Sequence, residues 1–363
     1  MSKSFDTNLL KDPTLKKLYD YVLVRSRNIY NVFADVYLEK SKNKDIQIEY
    51  AFSTKFQASA SKKSKHLYCV NMHSPVLLLM RSLFDCLMTF DEIGLEICGK
   101  TSTSSTFNSL PIIPDIRNIS QKKYVKVTSD LDRTFVSSIL TDFVGTFMML
   151  HEIGHVVSGH VESCKTYFNE DQVLEIFGLL KHKKLKKIQL RQSMEFDADM
   201  IAARLIPQYI EQLYSKTLED KRYQKAFKNI YNTNYLLEEL TALSLAALFT
   251  LFVYMVGSDK DVECEKSFHP HPLSRCQYIK DGIIQTLKEK HSLNQEILIE
   301  RYLTHIDQVL ICFDRLGMYN PILFSDTYFD NADKDIERIF KITRENRKLC
   351  EKWSWLPAKE WTK

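Results

Sequence analysis

Turn-forming residues are scarce in this chain. Nine glycines and nine prolines in 363 residues are too few for an architecture of many short strands, and they argue for long helices. The eight cysteines are scattered, and none has the C-x-x-C spacing of a redox pair or a zinc ribbon, so they read as reduced core residues. Neither sign of charge dominates: 50 Lys and Arg against 46 Asp and Glu leave a formal charge of +4. That lacks the basic footprint of a nucleic-acid binder, and no nucleic-acid partner is expected. The opening MSKSFDTNLLKDPTLKKLYDYV has no apolar stretch or small-residue cleavage site of a secretory signal, which sets a cytoplasmic expectation. No internal repeat is evident.

What is present is an ordinary globular composition, 44% hydrophobic and 26% charged. The fold class expected is mainly α (α+β), with a small β element. Three regions are expected: 1–125 helical and mixed, 126–290 a central core, and 291–363 helical. Residues 13–39 carry apolar side chains at helical spacing, as one helix or two. Short β-prone runs follow at 46–52 and 67–71, and residues 75–90 return to a helical pattern. The Ser/Thr-rich, proline-bearing stretch 100–114 predicts an irregular boundary. From about Ser129 an apolar helical run leads into two histidines, with Thr141 and Asp142 as interruptions. The basic cluster 181–191 reads as a solvated face, and a further apolar helix starts near Gln192. Residues 240–258 carry no charge and would form a helix about 28 Å long. A buried core helix is favoured for them over a span anchoring the chain to an inner membrane, because Thr241, Ser244, Thr250 and Tyr254 interrupt the apolarity.

The chemistry concentrates in HEIGH. His151 and His155 are one helical turn plus about 40° apart, so both imidazoles leave one face and can share a metal. Glu152 falls beside them, where a carboxylate can draw a proton from water at an open coordination position. Zn2+ suits this donor set, and a catalytic zinc takes three protein ligands. The metzincin solution is excluded, because Ser158 and Val161 stand where that pattern needs Gly and His. His160, nine residues from His151, would point about 180° away on a continuing helix, which leaves it a second-shell or structural part. EFDAD offers Glu195 as the third ligand, with Asp199 one turn later to accept the free N–H of a bound imidazole. Asp197 competes as ligand, and Glu170, Asp171 and Glu175 are weaker rivals. The flanks Met194, Phe196, Ala198, Met200, Ile201 and Ala202 argue against a merely solvated acidic face. Further on, HPHPLSR gathers His269, His271 and Arg275 on a proline-bounded turn that could supply donors to an oxyanion. The plainer reading of that turn is a helix N-terminus with incidental histidines.

Taken in order, HEIGHVVSGH, EFDAD and HPHPLSR resemble the gluzincin metallopeptidases. They look like the signatures of HtpX-type and CAAX-prenyl-protease-type peptidases and their soluble relatives. HEIGHVVSGH in a helical chain also resembles the Lit-type phage-exclusion peptidases, which cleave a host translation factor. The resemblance spans roughly 130–280. It implies a zincin-like core, His151, His155 and Glu195 as zinc ligands, and Glu152 as base. It further implies Asp199 behind the ligands, with His269 and Arg275 as catalytic groups at the substrate; the extra His271 leaves two candidates for the catalytic histidine. The several membrane spans of the prenyl-protease branch have no counterpart here.

The function expected is therefore a zinc-dependent endopeptidase acting on a protein or peptide substrate, of a phage-exclusion or defence type. The alternatives are a membrane-anchored peptidase using 240–258 and a non-catalytic, metal-stabilised binding protein. Oligomeric state and cleavage preference have no motif in this sequence, because subsites are shapes.

Overall fold

The computed structural model describes residues 4–10, 12–38, 45–53, 56–99, 130–174, 185–256, 267, 269–317 and 326–357. The chain is mostly helical, with one small sheet. In order the elements are α1 (Pro13–Tyr37), β1 (Asp45–Ala51), β2 (Ala58–Lys62), β3 (Leu67–His73), α2 (Pro75–Leu87), α3 (Asp91–Cys98), α4 (Leu131–Val157) and α5 (His160–Phe168). There follow β4 (Gln172–Leu174), α6 (Leu185–Leu205), α7 (Pro207–Glu219), α8 (Lys221–Ala226), α9 (Lys228–Tyr231) and α10 (Leu236–Val256). The last are α11 (Pro272–Lys288), α12 (Gln295–Arg315), α13 (Asp326–Asn346) and α14 (Lys348–Glu351). The expected irregular stretch 100–114 and the expected boundary at 125/126 lie outside the described residues.

Local chemistry sets the helix starts. Asp12 accepts the Thr14 and Leu15 N–H groups, Pro13 takes the first position, and α1 runs as one helix. Asp130 does the same for Asp132 and Arg133 at 2.8 and 3.1 Å, a cap worth about 1 kcal/mol. The interruptions expected at Thr141 and Asp142 do not occur. Thr141 donates its hydroxyl to the Ser137 carbonyl at 2.8 Å, which satisfies it inside the helix. Asp142 is paired with Arg25 at 3.1 Å and receives the Tyr209 hydroxyl at 3.1 Å. α6 starts earlier than the expected Gln192. Ile188, Leu190 and Arg191 are buried while Lys186 is exposed, so this part of the basic cluster has one face turned inward and one to solvent; residues 181–184 lie outside the described residues.

The sheet has the order β1-β3-β2-β4, with β1 parallel to β3 and the other pairs antiparallel. β2 (ASASK) has no β-branched or aromatic residue, and β4 is only three residues long, so neither stands out in the sequence. α4 packs against α1, α2, α6 and strands β2 and β3, and it is buried along nearly its whole length. One apolar core runs from Leu15 to Leu356 and takes residues from all three expected regions. Two helices, Leu131–Val157 and Leu236–Met255, are long and apolar enough to cross a membrane, and both are mostly or wholly buried within the fold. α10, which covers most of 240–258, packs against α4, α7, α11 and α12. That contact on all sides accounts for its having no polar face.

Candidate metal centre

α4 and α6 cross where α4 carries its histidines. At the crossing the approach is limited by backbone: a Cβ on Gly154 would stand 2.8 Å from the Ala198 carbonyl oxygen and 2.9 Å from its Cα. Only glycine permits this separation. It brings Glu195 of α6 to His151 and His155 of α4, all three buried.

The three side chains face a common point. The Nε2 atoms of His151 and His155 are 3.1 Å apart. Glu195 places Oε2 3.4 Å from the first and Oε1 3.4 Å from the second. Ligands bonded to one ion at about 2.0–2.2 Å in a tetrahedron are separated by about 3.3–3.6 Å, so these spacings are close to those of a metal's donor set. Asp199 faces His151 Nδ1 at 2.8 Å and, as a carboxylate, can only accept. The His151 proton therefore sits on Nδ1, and Nε2 presents a lone pair to the centre. Two ring nitrogens and a carboxylate turned on one another in a buried site offer a cation three donors. The group His151, His155 and Glu195 could hold a metal ion.

Electrostatics agree with the geometry. Burial acts to raise the Glu195 carboxyl, but the proximity of His269 first, then His155 and His151, outweighs it and holds it well below the usual carboxylate range. Burial likewise opposes ionisation of Asp199, and Arg275 first, then His151, overcomes it. Burial keeps His155 neutral, far below an ordinary histidine, although Glu195 pulls the other way. Burial also lowers His160 to about 3.

The surrounding residues divide sharply. Asp199 is gripped by Arg275 through Nε and Nη2, both at 2.8 Å, and by the Tyr278 hydroxyl at 2.7 Å. Arg275, expected at the substrate, thus directs those two donors to Asp199, and it stacks over Phe252. His269 Nδ1 stands 3.2 Å from Glu195 Oε2. His271 instead caps α11, its Nδ1 accepting the Leu273 N–H at 3.2 Å while its backbone N–H donates to Asp335 at 2.8 Å. Of the two histidines in that turn, His269 is the one at the centre.

His160 does not lie on a continuing helix. Gly159 takes φ 75°, α5 begins afresh at His160, and the ring returns to place Nδ1 2.9 Å from His155 Nδ1. Asp197, the competing ligand, is held by Arg347 at 2.7 Å. Glu170 pairs with Arg191, and Asp171 with Lys165; Glu175 lies outside the described residues. Glu152, next to His151 in α4, is fully buried.

No family model, curated protein or solved structure matches this chain. The site therefore has to be read from its own atoms. Gly154, Tyr278 and the Asp197–Arg347 pair went unread in the sequence. Tyr278 had a signal, three residues after Arg275 on one helix face; Arg347, 150 residues from its partner, had none.

Proposed function

We propose that this protein is a zinc-dependent peptidase of the gluzincin type, working in the cytoplasm on a protein or peptide substrate. The observation that carries the reading is the 3.1, 3.4 and 3.4 Å triangle of His151 Nε2, His155 Nε2 and the Glu195 oxygens, assembled across two helices. Two neutral nitrogens and one carboxylate suit zinc, and a three-residue set leaves a position open for chemistry, whereas structural zinc sites are closed and usually rich in cysteine. When bound, the ion supplies Lewis acidity, which acidifies water and polarises a carbonyl.

The protein's own groups divide the remaining work. Glu152 takes a proton from the attacking water and passes it to the departing amine. His269, whose Nδ1 lies beside Glu195, donates to the oxyanion of the tetrahedral intermediate in this reading, where one such donor is worth about 3 kcal/mol. Arg275 and Tyr278 fix Asp199, and Asp199 fixes His151. The zincin-like core of the reading rests on the order HEIGH, EFDAD and HPHPLSR and on this assembly.

The test is Glu152→Gln. It should leave zinc content and folding unchanged while lowering hydrolysis by about 100-fold or more. Cells making the wild type but not the variant should accumulate new protein termini, which name the substrate. Full hydrolysis by the variant, or a purified wild type that takes up no zinc, would sink the proposal.

A further inference from the structure

α6 carries two carboxylates beyond Glu195, and each faces one of the ligand histidines, Asp199 directly and Asp197 by way of His160. We propose that His160, Asp197 and Arg347 form a relay that fixes the tautomer and orientation of His155. It does for the second ring, through one intermediate imidazole, what Asp199 does for the first. The inference rests on the metal-centre reading above and assigns three positioning residues to it.

The geometry carries the argument. The 2.9 Å contact between His155 Nδ1 and His160 Nδ1 accommodates one proton, so one ring donates and the other accepts. If His155 donates, its Nε2 is a lone pair turned to the ion. His160 then accepts at Nδ1 and, being neutral, carries its proton on Nε2, which faces Asp197 Oδ2 at 3.9 Å. That is a contact between a neutral N–H dipole and a carboxylate, too long for a hydrogen bond. In the opposite arrangement His155 would push an N–H into the ligand set, and His160 would turn a lone pair toward a carboxylate oxygen inside the fold. Asp197 thus selects the metal-ready tautomer, and Arg347 holds Asp197 with Nη2 at 2.7 Å and Nε at 3.3 Å.

The chain is built to deliver His160 to this place. A side chain on Gly159, at φ 75°, would meet the Trp353 backbone at 2.7 Å. Trp355 donates its backbone N–H to the Val157 carbonyl at 2.8 Å, and Ser354 donates its hydroxyl to the same oxygen at 3.3 Å. The stretch that follows Arg347 therefore clamps the break between α4 and α5, so both ends of the relay depend on one part of the chain.

The experiment measures zinc affinity of the full chain by competition with a chromophoric chelator, for wild type, His160→Phe, His160→Gln and Arg347→Met. Long-range nitrogen–proton spectra of histidine-labelled, zinc-loaded wild type accompany it. His160→Phe should weaken zinc binding by about 10–100-fold, the range for loss of a group that orients a ligand. His160→Gln, whose amide can accept from His155 and donate toward Asp197, should recover most of that, and Arg347→Met should lose about tenfold. The spectra should place the His155 proton on Nδ1 and the His160 proton on Nε2. Wild-type affinity in a folded His160→Phe, a Gln variant no better than Phe, or a His160 proton on Nδ1 would each overturn the relay. If the Phe variant fails to fold, the Gln variant and the spectra decide. A wild type that takes up no zinc removes the metal-centre reading and the relay with it; a loaded wild type with an unaffected Phe variant removes the relay alone.

Discussion

Gly154→Ala tests whether the approach of two helices sets the spacing of the metal ligands. The new methyl would stand 2.9 Å from Ala198 Cα and 2.8 Å from its carbonyl oxygen, where carbon atoms ordinarily meet at about 3.5–4.0 Å. Both neighbours are backbone, so no side chain can swing aside. α4 and α6 must part by roughly 0.6–1 Å. Metal sites tolerate about 0.2 Å in a ligand distance, so a shift of that size pulls Glu195 away from the two imidazoles. Overpacking costs about 1–3 kcal/mol, and the better helix propensity of alanine returns about 1 kcal/mol. The apo protein should therefore lose only about 0–2 kcal/mol. Zinc affinity should fall much further, by more than about 100-fold, which is about 2.7 kcal/mol or more. Urea unfolding with and without zinc, beside chelator competition, separates the two effects. A folded Gly154→Ala protein that binds zinc as tightly as wild type would refute the reasoning.

Other perturbations follow from the same geometry. Arg275→Met leaves Asp199 buried without its two-pronged partner and should destabilise the fold by about 3–5 kcal/mol in urea; a loss under about 1 kcal/mol would show the pair to be dispensable. Gly159→Ala meets both a positive φ, costing about 1–2 kcal/mol, and the Trp353 backbone, so a melting temperature equal to wild type would contradict the account of the α4–α5 break. Burial lowers His271 to about 4, with Asp335 acting the other way, against about 6.5 for a free imidazole. Because the folded value is the lower one, this residue's stabilisation is complete above about pH 6.5 and is lost as pH falls toward 4, roughly 2 kcal/mol of it by pH 5. His271→Asn keeps an acceptor for the Leu273 N–H and should lose about 2 kcal/mol less than wild type between pH 7 and 5; parallel pH profiles would rule this out.

Much of the centre was legible in the sequence because its decisive relations are local. His151 and His155 share a helix face by periodicity alone, and Glu195 and Asp199 stand one turn apart among apolar flanks, which marked their helix as one that packs inward. The mainly helical class followed from the scarcity of turn residues. What went unread depends on contacts made far along the chain. Asp197 looked like a ligand until Arg347 was seen beside it. Arg275 looked like a substrate group, yet it holds Asp199. His160 was misplaced for a local reason: Gly159 was read as part of a continuing helix, whereas its positive φ turns the next residue back. β2 lacks the branched side chains that betray a strand, and it is recruited by its pairing with β3.

The clamp on Val157 comes from residues nearly two hundred positions later. A ribosome releases the polypeptide in order, so while α4 and α6 are already outside, the end of α4 still lacks its hold and Asp197 its arginine. A growing chain therefore carries His151, His155 and Glu195 before it carries Arg347 and the stretch that clamps Val157. The hold on Val157 and the arginine for Asp197 are complete only once residues through Trp355 have emerged.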